Sequence, residues 1–446
     1  MRVSGEGPSR AANSAPSGGS EQRPSASVGV DNPGPLAHLT ILDLSRVLAG
    51  PWCTQLFADL GATVVKIEKP GSGDDTRAWG PPYLADAHGN DTSEAAYYLA
   101  CNRGKLSVAI DFTKPAGRDL VRDLARTSDA MIENFKRGGL ARYGLDYASV
   151  SAINPGIVYA SITGFGQDGP YADRAGYDFI IQGMSGFMSL TGERDDVPGG
   201  GPQKAGIAIT DLFTGMYTAV SMLASLSARD RTGKGQYIDL ALLDSAVAMM
   251  SVMNMNYFVT GTPPPRAGNA HQNIVPYQAF ACADGHLILA VGNDGQFAKF
   301  CEVAGVTWAQ DARFAKNADR VRNRGVLVPM VASIVAARPQ HDWIVALEEA
   351  GVPCGPIHKL DAVFADPQVV ARGMRLAMPH ALAGSVPQVA SPVRIGGEQA
   401  VAERAPPLLG EHTMQVQSIA QHLHGVLAEK RRRAFRDRLL AADADG

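Results

Sequence analysis

The stretch GIAITDLFTGMYTAV, residues 206–220, sets one carboxylate, Asp211, immediately ahead of a run without charge. Two kinds of chemistry suit an aspartate there. As an N-cap it accepts a hydrogen bond from the first turn of the helix that follows. As an ionised group sheltered at a helix N-terminus it can act as a covalent nucleophile, because the helix dipole favours negative charge and carboxylates form acyl intermediates. The two roles are compatible. A glycine-bearing loop, VPGGGPQKAG (197–206), leads into the segment.

A second set of residues is basic. Arg46, Lys69, Arg77, Arg103, Lys105, Lys136, Arg137 and Arg142 follow or flank apolar runs. Several of them converging would suit a nucleotide with more than one phosphate, while any one alone reads equally as a surface charge. The first crossover, ILDLSRVLAGPWCTQLFADLGATVVKIEKPG (41–71), resembles the opening of a nucleotide-binding fold. Its loop SRVLAGP lacks the G-x-G-x-x-G that lets backbone cradle a pyrophosphate, which disfavours a nicotinamide oxidoreductase. Lys69 follows Glu68 where a ribose-binding acid would stand, and a cation there suits phosphate better than a diol.

The elements that must position these groups alternate. LTILDL (39–44) and ATVVKIEK (62–69) read as buried strands around a helix opened by Pro51 and closed at Gly61. Two apolar strands joined by a helix imply a parallel pair with a right-handed crossover. LSVAIDF (106–112), the helix GRDLVRDLARTS, AMIEN (130–134), IVYASIT (157–163) and KGQYIDLAL (234–242) continue the pattern. Asp244 and Ser245 are candidate caps for the helix after it. The expectation is an α/β, Rossmann-like doubly wound sheet over about the first 240 residues. TGTPPPRAGNAH (260–271) is a Pro/Gly-rich connection, YQAFACADGHLILAVG a hairpin turning at Asp284-Gly285, and GVPCGPI (351–357) the start of the chain's return.

The chain has 446 residues and a formal net charge of −3, so nothing favours nucleic acid or an anionic membrane. Five scattered cysteines without a C-x-x-C pair suit free thiols in a reducing cytoplasm, and the histidines show no spacing for a bound metal. Residues 1–36, rich in Ser, Gly, Pro and Ala, read as a disordered tail without a secretory apolar core, or as a transit peptide to an organellar matrix. LFTGMYTAVSMLASLSA (212–228) carries no charge, but a membrane span takes about 20 predominantly apolar residues, so a helix buried on a sheet is expected.

The motifs RVLAGPWCTQLFADLGATVVKIEKPGSGDDTR, NRGKLSVAID, IENFKRGGLARYGL, GFGQDGPYADRAGYDFIIQGMSG, AITDLFTG, RTGKGQ, GVPCGPI, FADPQV and PPLLGEHT, in that order over about 37–415, resemble the class III CoA-transferases. This is the group of formyl-CoA transferase and carnitine CoA-transferase. DDTRAWGPPY (74–83), SITGFGQDGP (161–170) and IVPYQAFACADGH (274–286) resemble most the members that act on dicarboxylates.

The resemblance implies a Rossmann-like large domain built from both ends of the chain, a smaller α+β domain, and two subunits interlocked as a homodimer. The corresponding segments are the tail 1–36, large domain 37–245, linker 246–270, small domain 271–350, return linker 351–375 and a completing part 376–446. It implies Asp211 as the catalytic nucleophile, moving CoA from an acyl-CoA such as succinyl-CoA to a dicarboxylate such as glutarate. CoA is then a substrate thioester and no cofactor is permanently held. By the same match Leu48, Ala49, Lys69, Asn134, Phe135, Arg142, Arg174, Tyr177 and Asp178 meet CoA or the reacting centre. Arg77 and Arg103 are candidates for a distal substrate carboxylate. The rival readings are an α-methylacyl-CoA racemase and a degenerate CoA-binding protein. The racemase requires a base where GYD (176–178) has Tyr177 in place of histidine, and a phenol is a poor base near neutral pH. The degenerate protein is disfavoured because Asp211 and GYD are both present.

Overall fold

Six short strands pair side by side, the first five largely buried on both faces and the last, at the sheet's edge, exposed at Tyr237 and Asp239. They are β1 (Thr40–Asp43), β2 (Thr63–Glu68), β3 (Lys105–Ala109), β4 (Ala130–Glu133), β5 (Val158–Thr163) and β6 (Tyr237–Ala241). All pairings are parallel, in the order β3-β2-β1-β4-β5-β6. Alternate side chains separate the two layers. Ile41, Val64, Ile132, Val158 and Ala160 meet the helices Ala49–Asp59, Ile209–Thr232 and Leu242–Met249 on one side. Leu42, Val65, Val108, Met131 and Tyr159 meet Pro115–Thr127 and Tyr147–Ile153 on the other. A one-residue slip of β1 would exchange Ile41 and Leu42 between layers, so the pattern pins the register. The computed structural model describes residues 34–415.

The order reverses between β1 and β4, which opens a crevice beyond their carboxyl ends, where open α/β sheets bind ligands. The loop after β1, the loop after β4 and the start of the Ile209–Thr232 helix supply the groups considered below.

A second core lies around an antiparallel sheet of Tyr277–Ala281, His286–Ala290 and Cys354–Pro356. Phe280, Leu287, Leu289, Phe297, Phe300, Phe314, Val331, Trp343 and Leu347 fill it. The hairpin turns at Cys282–Gly285, where Cys282 N–H donates to Gly285 O at 2.8 Å, as the Asp284-Gly285 pair predicts. Cys354–Pro356 was expected to begin the return. It instead completes this sheet, a strand of three residues that itself contains glycine and proline and leaves no periodicity to read.

The chain then comes back to the parallel sheet. His412 N–H donates to Ser107 O at 2.9 Å, Gly104 N–H to Arg404 O at 2.8 Å, and Ala109 N–H to Thr413 Oγ1 at 2.9 Å, so the edge of β3 is covered. At the other end packing begins within the expected tail: Leu36 N–H donates to Leu60 O at 2.9 Å, and Leu36 joins the core. Residues 1–33 of the tail, and the 376–446 segment beyond 415, lie outside the described residues. No helix among the described residues is long and apolar enough to cross a membrane.

Candidate active site

Asp211 is the third residue of the Ile209–Thr232 helix, whose cap position is Ala208. The N-cap expectation therefore fails by three residues: the helix starts earlier than the uncharged run suggests. Asp244 likewise lies inside its helix, which begins at Leu242, and Ser245 donates back to Ala241 O at 3.0 Å. The capping carboxylate at the Asp211 helix comes from elsewhere. Asp178 Oδ1 accepts Thr210 N–H at 2.9 Å and Thr210 Oγ1–H at 2.6 Å, while its Oδ2 accepts Gln182 Nε2–H at 2.6 Å.

This arrangement leaves Asp211 half-buried beside a second carboxylate. Burial, and then the negative charge of Asp178, push its carboxyl up to about 7. Tyr97 shares the neighbourhood: burial first, then the Asp211 charge, push its phenol up to about 12. Tyr97 meets Trp79 edge-on at 5.0 Å. Nothing in the sequence AYYLA singles out Tyr97.

The helix is set against the first crossover by small residues. Thr210, Thr214, Gly215, Thr218 and Ala219 are buried, and Thr214 and Thr218 satisfy their hydroxyls on carbonyls four residues back, at 2.7 Å each. A methyl placed on Gly215 would stand 2.6 Å from Ala49 O, so the backbones approach where Leu48 and Ala49 begin their helix. Asp211 and the Leu48–Ala49 turn are thus held in one unit.

The loop Ser45-Arg46-Val47 leading into that turn is scaffolded by side chains. Ser45 N–H donates to Asp43 Oδ1 at 2.8 Å, and Ser45 O accepts from Lys66 Nζ at 2.8 Å. Arg46 N–H donates to Asn134 Oδ1 at 2.8 Å, and Asn134 Nδ2 donates to Arg46 O at 2.6 Å. Val47 N–H donates to Asp74 Oδ1 at 3.1 Å, and Cys101 Sγ donates to Val47 O at 3.7 Å. The Arg46 guanidinium lies 4.9 Å from the Phe135 ring centre, and Phe135 packs edge-on against Phe112.

Of the residues expected at the site, the structure therefore links Leu48, Ala49, Asn134, Phe135, Asp178 and Asp211. Asn134 spends its amide on Arg46. Lys69 and Arg142 are exposed cations in the segments after β2 and β4, Arg142 over the Tyr143 ring at 4.7 Å. Arg174 covers Tyr171 at 4.5 Å, and Tyr177 is 64% exposed. Lys136 and Arg137 line a separate cleft of about 520 Å³ with Glu133, Tyr147, Ser161 and Tyr237.

Arg77 and Arg103 are committed internally, against the expectation that one meets a substrate. Arg77 Nε and Nη2 donate to both Glu68 oxygens at 2.8 Å, with its guanidinium 3.6 Å from the Tyr98 ring centre. Arg103 grips Asp59 in the same forked manner and donates Nη1 to Val389 O at 3.0 Å. Both forks are filled and buried, so neither guanidinium is left for a distal carboxylate.

Comparison with known proteins shows the family. Residues 36–413 match the profile of CoA-transferase family III. A protein of Agrobacterium fabrum named succinate--glutarate CoA-transferase is 50% identical over 86% of this chain and 94% of its own length. The human succinyl-CoA:glutarate CoA-transferase is 40% identical over 87% of this chain and 86% of its own. A crystal structure of a CAIB/BAIF family protein from Brucella suis, 47% identical, superposes with a TM-score of 0.76 over 87% of this chain and all of that one. With the family's profile running through nearly every described residue, the chain belongs to CoA-transferase family III and is an enzyme of the CoA-transferase type.

Proposed function

We propose that the enzyme moves CoA between succinyl-CoA and glutarate, or a dicarboxylate of similar shape, with Asp211 as the covalent relay. The observation that carries the relay is Asp211 itself: a half-buried carboxylate in the first turn of a helix, braced against the Leu48–Ala49 turn. The substrate pair is supported by the names of the similar proteins from Agrobacterium fabrum and human.

The Asp211 carboxylate attacks the donor thioester carbonyl and the C–S bond breaks, giving a mixed anhydride and CoA thiolate. The thiolate attacks the Asp211 carbonyl of that anhydride, releases the donor acid and leaves an aspartyl-CoA thioester. The acceptor carboxylate attacks this thioester, re-forming an anhydride and the thiolate. The thiolate then attacks the acceptor's carbonyl, and Asp211 leaves as carboxylate. Each displacement builds charge on a carbonyl oxygen, which hydrogen-bond donors at the reacting centre must stabilise. Water must be kept out, since every intermediate hydrolyses readily.

Leu48, Ala49, Asn134 and Phe135 flank the CoA site, with Lys69 and Arg142 for phosphates and Arg174, Tyr177 and Asp178 toward the reacting end. The enzyme works as an interlocked homodimer, with the 37–245 and 376–415 segments forming the large domain, and 271–350 with the strand Cys354–Pro356 forming the small one. Exposed apolar side chains beside the site support the dimer: Phe179, Ile180, Phe213, Met216, Tyr217 and Val220.

The test is transfer from succinyl-CoA to a panel of carboxylic acids, followed as new thioesters by mass spectrometry. Glutarate is expected among the best acceptors, and Asp211→Ala is expected to lose at least about a thousandfold in kcat, as removal of a covalent nucleophile does. Wild-type turnover by Asp211→Ala, or absence of any acyl or CoA adduct on Asp211 in quenched enzyme, refutes the relay.

A further inference from the structure

The crossover loop has no glycine from Ser45 to Ala49, yet it turns through a left-handed residue. Val47 sits at φ +70°, a conformation a β-branched side chain adopts only where its surroundings impose it. All six backbone polar groups from Ser45 to Val47 are held by side chains, as described above. One buried ion pair holds two of them. Asp74 Oδ1 accepts Val47 N–H at 3.1 Å and Thr76 N–H at 3.0 Å, and its Oδ2 accepts Lys66 Nζ at 2.9 Å. Lys66 Nζ also donates to Ser45 O at 2.8 Å. Both side chains are wholly buried. Burial alone would raise the Asp74 carboxyl, but Lys66 and the Thr76 and Val47 N–H groups keep it below the usual carboxylate range.

We propose that Asp74 and Lys66 are positioning residues for coenzyme A: the pair fixes Ser45–Val47 so that the Leu48–Ala49 turn meets the CoA nucleotide preformed. The buried pair then does what glycines do in a phosphate-binding turn, holding a backbone shape that the local sequence resists. This rests on the reading of the chain as a CoA-transferase that receives CoA at that turn. Neither residue is bonded to Asp211: Lys66 lies on β2 and Asp74 in the turn that follows it. The Asp211 helix packs at Gly215 on Ala49 and Trp52 of the following helix and not on Ser45–Val47, so the pair's contribution falls on binding the CoA portion, common to ground and transition states, and leaves the attack at Asp211 intact.

Removing one partner would strand a buried charge, whereas removing both together is often tolerated. The test uses the full chain carrying K66M/D74A, and separately Asp74→Glu, which keeps the charge opposite Lys66 but moves the acceptor away from Val47 N. Melting curves establish that each is folded. Each is expected to raise KM for succinyl-CoA about tenfold and to weaken CoA binding in calorimetry equally, with kcat held within about threefold. Adding Val47→Gly, for which φ +70° carries no strain, is expected to recover most of that loss in K66M/D74A. Wild-type KM in a folded variant, a fall in kcat at unchanged KM, or no recovery with glycine overturns the proposal. If the wild-type protein neither binds CoA nor transfers it, the underlying functional reading fails instead. If it transfers and the variants keep its KM, only the positioning role falls.

Discussion

An aspartate that attacks a thioester must be ionised, yet the surroundings of Asp211 resist ionisation. Burial and the neighbouring Asp178 raise its carboxyl to about 7, so near neutral pH protonated and ionised forms coexist. A more basic carboxylate is a stronger nucleophile, and the cost is that some of it carries a proton. For the free enzyme, kcat/KM should rise with pH through about 7 and level off above it. Asp178→Asn keeps an acceptor for Thr210 but removes the negative charge, so the midpoint should move below 7. A midpoint unmoved in that variant would mean burial alone sets it. Stability has the opposite sign. The folded state holds this proton more tightly than the unfolded chain, so the Asp211 contribution is intact below the ordinary carboxylate value. It is lost progressively as pH climbs to about 7. At this scale the sequence pointed to Asp211 but misjudged Arg77 and Arg103. Their partners, Glu68 and Asp59, are 9 and 44 residues away, and composition does not reveal which cation a fold will turn inward.

At the scale of elements, the position of Asp211 depends on how closely two helices approach. Gly215 faces Ala49 O and Trp52, and an added methyl would lie 2.6 Å from that carbonyl and 3.2 Å from the indole. Alanine normally gains about 1 kcal/mol over glycine in a helix interior. Overpacking a tight contact costs about 1–3 kcal/mol, so the clash should win. Gly215→Ala is therefore expected to lower the denaturation midpoint and to reduce kcat by displacing Asp211. A variant more stable than wild type with unchanged kcat would show that the interface has slack. The helix and its charge-free stretch were legible, but its closeness to Ala49–Asp59 was not, because one glycine among 48 carries no mark of what it faces. Most strands of the parallel sheet were legible as apolar runs, since burial on both faces imposes that pattern, while the edge strand Tyr237–Ala241 was legible by its alternation. Lys66, in the middle of the β-branched run TVVKIE, was the available hint of a buried ion pair. Its partner Asp74 sits in the DDTR turn, where only the fold brings the two together.

For the whole molecule, the question is what covers the apolar surface around the site. Val220 is 61% exposed on the Asp211 helix, and Phe258 and Val259 are 70% and 78% exposed on the Val252–Thr260 helix. Side chains of this size cluster in the open on few monomeric proteins. A second copy of the chain would bury them, and an ordinary face-to-face dimer and an interlocked one would do so equally well. Exchange kinetics separate the two. Two differently tagged preparations, mixed at micromolar concentration under native conditions, should form no mixed dimers over days if the subunits are threaded, because separation then requires unfolding. Unfolding the mixture in denaturant and refolding it should give about half mixed dimers, the statistical share for equal amounts of two equivalent subunits. Mixed dimers within minutes under native conditions would leave a dimer but not a threaded one. A monomer by sedimentation at working concentration would remove both, and would leave the apolar surface around Asp211 facing water.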